Sequence, residues 1–136
     1  MRTVKLTKET KNDLLESLLK RSPNNYGQYE SVVNEIIEKG IVLELCPTSN
    51  INTKIFNDIR SYPITTLIDK GVKVTINTDN TTVSNTDIEE EYIKMIANFG
   101  FNRKDVENLC RNAIESTFLH EKEKRKLCKK IDKFKF

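Results

Sequence analysis

Between Val72 and Asp87 the sequence VKVTINTDNTTVSNTD joins a β-branched run (Val72, Val74, Thr75, Ile76) to a polar knot of Asn77, Thr78, Asp79 and Asn80. A strand that ends in such a knot either binds something there or caps a helix. A carboxylate at Asp79 suits zinc or a hard cation, and neighbouring amides can orient a heterocycle through paired donors and acceptors. The plainer reading, and on spacing alone the stronger one, is an Asx turn in which Asp79 and Asn80 lead the chain out of the strand. A second polar cluster, Cys46, Thr48, Ser49 and Asn50, follows the run Ile41 to Leu45. Elsewhere ligand chemistry is sparse: Cys46, Cys110 and Cys128 form no C-x-x-C, and the single histidine, His120, stands in a charged run. The thiols read as reduced and at least partly buried, and His120 as a surface side chain.

The elements that position these clusters follow from apolar spacing. Leu14, Leu15, Leu18 and Leu19 mark a helix over Lys8 to Arg21, after a short alternating start, Arg2 to Leu6. SPNNYG (Ser22 to Gly27) breaks it, and Val32, Val33, Ile36 and Ile37 mark a second helix ended by Gly40. IVLEL (Ile41 to Leu45) reads as a strand buried on both faces, as parallel sheets are, and Pro47 takes CPTSN off the sheet at its carboxyl end. Ile55, Ile59, Ile64, Leu67 and Ile68 suggest helical material interrupted before Pro63 and closed by Gly71, where VKVTIN begins. Strand, helix, strand is a βαβ unit. Thr86 with Glu89 has the spacing of a capping box for a helix through Ile88, Tyr92, Met95 and Ile96. Asn102 caps the next helix, and a charged helix closes the chain from about Lys122. An α/β chain with so few strands, whose parallel edges would be left unpaired, reads as part of a larger architecture.

Bulk properties narrow the function classes. The chain has 136 residues, 37% apolar and 32% charged, with a net charge of +3, which fits one folded domain. Glu121 to Phe136 holds eight Lys/Arg against three acids, so the remainder is slightly acidic; a solvated basic helix face explains this better than nucleic-acid binding. No apolar run approaches the ~18 residues of a membrane span, and no signal-peptide core stands at the N-terminus. The expectation is a cytoplasmic protein that binds neither nucleic acid nor membrane.

LELCPTSN (Leu43 to Asn50), YPITTLIDKGVKVTINTDN (Tyr62 to Asn80), EEEYIKMI, and RNAIESTFLHEKEKRKL (Arg111 to Leu127) occur in that order. Together they resemble the C-terminal portion of adenosine deaminases, metal-dependent purine deaminases of the amidohydrolase superfamily. The resemblance covers roughly Ser31 to the C-terminus. It implies a partial (β/α)₈ barrel, the last two βα units plus C-terminal helices, over residues 31–136, preceded by an N-terminal helical segment over residues 1–30. It also implies hydrolytic deamination of adenosine-type purine nucleosides with Zn²⁺ as cofactor. Asp79 then falls on the family's aspartate zinc ligand, which also contacts the attacking water. Asn80 falls where the family usually has a second aspartate that bonds purine N7.

Two departures follow. An Asn amide donates to the N7 acceptor at any ordinary pH, whereas a carboxylate does so only when protonated, so Asn80 retains the contact while changing its pH dependence. The family's zinc histidines and glutamate proton shuttle have no counterparts beside a lone His120, and a hydrolytic zinc site needs about three or four protein ligands. The expectation is a fragment inactive alone, complemented by an N-terminal polypeptide. The rival expectation is a non-catalytic remnant or interaction module that self-associates through exposed parallel strand edges.

Overall fold

Two Lys-Gly-aliphatic junctions frame the structure, a computed structural model that describes residues 26–134. The strand expected at Arg2 to Leu6 and the helix at Lys8 to Arg21 lie outside the described residues. Helix α1 (Tyr26–Glu38) buries Val33 and Ile36. It ends where Gly40, at φ +61°, lets Ile41 N–H bond Ile36 O (2.9 Å) and Gly40 N–H bond Ile37 O (3.0 Å). That is a Schellman turn, and its hydrophobic pair is Ile36 with Ile41, both buried. Helix α1 runs through residue 30 without a break.

The same device recurs before the second strand. Gly71 has φ +86°, Val72 N–H bonds Leu67 O (3.0 Å) and Gly71 N–H bonds Ile68 O (2.9 Å). Each turn delivers the chain into a strand: β1 (Val42–Leu45) after the first and β2 (Lys73–Ile76) after the second. The strands pair in parallel from Val42 opposite Lys73 to Leu45 opposite Ile76.

Between the strands, CPTSN does more than leave the sheet. Pro47 occupies the first turn of α2 (Pro47–Asn52), where its missing N–H costs nothing. Ile55 and Ile59 belong to no long helix: the chain passes through a 3₁₀ turn (Ile59–Ser61) capped by Asp58, and α3 (Ile64–Asp69) begins after Pro63. Beyond β2 come a single turn, α4 (Thr81–Ser84), then α5 (Ile88–Phe99), α6 (Arg103–Ser116) and α7 (Glu121–Lys133). Helix α6 packs on β2, and α7 on α6.

The capping expectations divide. Asn102 caps α6 in a reciprocal box with Asp105, as its position suggests. The α5 cap is Asp87, whose Oδ1 accepts from Glu90 N–H (2.8 Å), not Thr86, because the Thr86 hydroxyl turns inward to a buried acceptor.

Among the described residues, the helices pack their apolar side chains on one face of the sheet. Strand alternation puts Leu43 and Leu45 on a face with Val74 and Ile76. Leu43, Val74 and Ile76 join the core with Val33, Ile64, Leu67, Met95 and Leu109 from the helices. Burial of such a side chain contributes roughly 1.5–3 kcal/mol. Val42, Glu44, Lys73 and Thr75 share the opposite face, where Glu44 and Lys73 are exposed, Val42 is half-buried and Thr75 is buried. Among the described residues, the apolar look of IVLEL comes from Leu43 and Leu45 on the helix-packed face, half-buried Val42 on the other, and the apolar lead-in, Ile41.

Candidate functional site

Parallel pairing sets the carboxyl ends of β1 and β2 side by side, and Asn77 N–H extends the ladder by one bond to Leu45 O (2.8 Å). Asp79 follows in the left-handed region, φ +59°, which a short polar side chain tolerates better than a branched one. Its carboxylate is exposed, and Oδ2 accepts from the Ser49 hydroxyl on α2 at 2.8 Å. Asn80 caps α4: its Oδ1 accepts from Val83 N–H at 2.9 Å. Only the amide oxygen can accept, so this bond fixes which end of the amide is which. The cap leaves both Nδ2 donors unused.

The first polar cluster splits in two. Ser49 meets Asp79, while its neighbours bond inward. Asn50 Nδ2 donates to the Tyr62 hydroxyl (2.8 Å); burial drives the Tyr62 phenol pKa well above its ordinary value and keeps it neutral. Cys46 is half-buried at the α2 N-cap. Thr48 donates through both its N–H (3.2 Å, to Oε2) and its hydroxyl (to Oε1) to Glu91 of α5.

Glu91 is the group that sequence reasoning missed. It is 0% exposed, and Oε1 also accepts from the Thr86 hydroxyl (2.6 Å) and Lys94 Nζ (3.2 Å). Lys94 Nζ donates in addition to Thr48 Oγ1 (2.6 Å). Burial alone would raise the carboxyl's pKa, but the bonds from Thr48, Thr86 and Lys94 outweigh it and hold it below the ordinary value. A signal was present: Glu91 stands four residues before Met95, on the helix's buried stripe.

His120 is exposed and caps α7, its Nδ1 accepting from Lys122 N–H (3.4 Å). Cys110 lies beside the Tyr92 hydroxyl (3.6 Å), and none of the three cysteines is disulfide-bonded. Among the described residues no three His, Cys, Asp or Glu side chains gather into a metal-holding group. The described donors thus do not by themselves make a zinc site: Asp79 offers one carboxylate where about three or four ligands are needed.

The adenosine deaminase family model matches residues 24–134. The chain belongs to the adenosine deaminase family. It is 39% identical over 103 residues to an adenosine deaminase of Clostridium acetobutylicum, a match covering 76% of this chain and 31% of that protein. Over 99 residues it is 42% identical to an adenosine deaminase of Lactococcus lactis, covering 72% and 28%. Among solved structures, adenine deaminase from Arthrobacter aurescens superposes with a TM-score of 0.74 at 19% identity, over 76% of this chain and 32% of that one. The apo N6-methyl-AMP deaminase of Arabidopsis thaliana gives 0.71 at 23% identity, over 96% and 38%. The chain therefore spans about a third of the length of the relatives it matches. It has the adenosine deaminase C-terminal fold, a sector of an amidohydrolase (β/α)₈ barrel wall with helices on the outside. The face of Val42, Glu44, Lys73 and Thr75 is the one such a wall turns to the lumen. Ligands of (β/α)₈ barrels bind at the carboxyl ends of the strands, and those are the ends that carry Ser49, Asp79 and Asn80. Among the described residues no helix is long and apolar enough to cross a membrane.

Proposed function

We propose that this adenosine deaminase family chain supplies the last two strand ends of a barrel that hydrolytically deaminates purines of the adenosine type. Asp79 gives one carboxylate to a catalytic zinc. Asn80 donates Nδ2–H to the ring acceptor N7, and the histidines and proton shuttle come from another polypeptide segment. The observation that carries the reading is the pairing of an exposed Asp79, held by Ser49, with an Asn80 whose oxygen is already committed to Val83. That commitment leaves the amide as a donor, and purine N7 needs a donor. The curated relatives are named adenosine or adenine deaminases, which points to a 6-aminopurine as the substrate class.

The test is absorbance at the adenine band with excess zinc present. The 136-residue chain alone leaves adenosine unchanged; adding a polypeptide with the missing ligands restores turnover, and Asp79→Ala in this chain abolishes it. Zinc-dependent turnover by the lone chain would overturn the reading.

A second reading, self-association without catalysis, has its own support in the strand edges. Alternation turns the backbone groups of Val42 and Glu44 away from β2, where no described strand pairs with them. A stable monomer at micromolar concentration in light scattering would dispose of it.

A further inference from the structure

We infer that Glu91 is a positioning residue that sets the Ser49 hydroxyl on Asp79, by tying the start of α2 to the turn after α4. The inference deepens the proposed role of Asp79 and rests on that reading for its functional meaning. The geometry behind it stands independently. Glu91 receives bonds from three places: Thr48 on α2, Thr86 after α4, and Lys94 one turn along its own helix. Thr48 directly precedes Ser49, so an anchor on both the Thr48 N–H and hydroxyl fixes the backbone that aims the Ser49 side chain. Thr86 is fastened on the other side of Asp79: Thr86 N–H bonds Thr81 O (3.3 Å) in the α4 turn that Asn80 caps. Asp79 thus sits between two segments that one buried carboxylate holds at a fixed spacing.

A left-handed residue in an exposed turn gains little fixation from its own backbone. The Ser49 bond occupies Oδ2 and restrains rotation of the carboxylate, so Oδ1 is the oxygen it leaves open. Ser49 performs this task only if α2 begins where it does, and Pro47 and Thr48 locate that beginning. Glu91 and its ion-pair partner Lys94, which donates to the Thr48 (2.6 Å) and Thr86 (3.2 Å) hydroxyls, together connect α5 to both strand-end segments, and Glu91 alone takes the Thr48 N–H.

A cycle of substitutions in the full chain tests this by urea unfolding. Ser49→Ala lowers the folding constant about fivefold in the parent, the effect of one hydrogen bond. In a Glu91→Gln background the same substitution changes it less than about twofold, because Ser49 no longer holds its geometry. An equal factor in both backgrounds would overturn the inference, since a merely structural Glu91 gives independent effects. If Glu91→Gln does not fold, Thr48→Val removes the hydroxyl half of the same tie, leaving the Thr48 N–H bond, and completes the cycle with a smaller coupling in the same direction. The second readout is the ¹³C shift of the Asp79 carboxyl carbon, which moves in the same direction in Ser49→Ala and Glu91→Gln. An unmoved Asp79 signal in a folded Glu91→Gln chain also refutes the inference. The complementation assay separates the two ideas: an Asp79→Ala chain that still supports full turnover with the complementing polypeptide counts against the deaminase reading and leaves the cycle unaffected.

Discussion

Replacing Glu91 with leucine should remove a large share of this chain's stability, and replacement with glutamine a smaller share that depends on pH. Glu91 is wholly buried, and its carboxylate is the acceptor for the Thr48 N–H, the Thr48 and Thr86 hydroxyls, and Lys94. Leucine fills similar volume but leaves the part-buried Thr48 N–H unpaired and Lys94 without its counter-charge. Breaking a buried ion pair from one side costs about 3–5 kcal/mol. The Lys94 side chain is 34% exposed and recovers part of its hydration, which places Glu91→Leu near the lower end of that range. Glutamine keeps an oxygen and forfeits the charge, at about 1–2 kcal/mol. Against a total of about 5–15 kcal/mol, the leucine variant loses between about a fifth and about three-fifths of the stability.

The sign of the pH effect follows from the depressed carboxyl. The native Glu91 pKa lies below its ordinary 4.5, so as pH falls the unfolded chain takes up the proton before the native one. The contribution of Glu91 is complete above about pH 4.5 and is lost as pH drops through the native value. Urea unfolding followed by far-UV circular dichroism, from about pH 7 to about pH 3, should show the parent losing its advantage over Glu91→Gln in the acid limb. A difference between the two that stays constant across the range would refute the assignment of Glu91 as a charged, buried acceptor.

Four further substitutions probe other parts of the fold. Asn112 Nδ2 donates to Val74 O (3.0 Å) on the outer edge of β2, so Asn112→Leu should cost about 1 kcal/mol and raise the light-scattering mass by exposing that edge. Gly71→Val should cost roughly 1–2 kcal/mol in urea unfolding, from backbone strain alone, because φ is +86° and nothing lies within 4 Å of an added Cβ; Gly71→Asn should cost less. Zinc should bind the lone chain no tighter than roughly 100 μM, about −5.5 kcal/mol, and Asp79→Asn should erase the calorimetric signal. A submicromolar site that survives that change would place the metal elsewhere.

What was legible in the sequence was whatever local chemistry decides. Gly40, Gly71, Asn102 and the strand pair could be read because a left-handed turn, a side-chain cap and a β-branched run each leave a residue-level mark. Helix α2 left none at its end: Lys54, at φ +59°, takes the place a glycine usually occupies, so no residue type announced the turn. Thr86, three residues before a glutamate, satisfies a capping-box spacing rule, but Asp87 competes for the same cap one residue later and takes it. The choice between them was made by Glu91, whose buried carboxylate draws the Thr86 hydroxyl inward. Three consecutive glutamates, Glu89 to Glu91, do not tell which one the core will take; the phase of the helix against Met95 does.

The site itself hangs on register. Side chains alternate across a strand, so a slip of one residue between β1 and β2 would carry Leu43 and Val74 to opposite faces of the sheet and split the core. The burial of Val74 and Leu43 together is what resists that slip, and the bond from Asn77 N–H to Leu45 O extends the same register beyond the last paired residues. From that bond the path to Ser49 runs through four residues on one side, and the path to Asp79 through two on the other. Both are short enough that little slack accumulates before the 2.8 Å contact closes the loop. The polar knot after Ile76 is therefore positioned by apolar residues several places away. Changes at Leu43 or Val74 should loosen Asp79 even though neither side chain touches it.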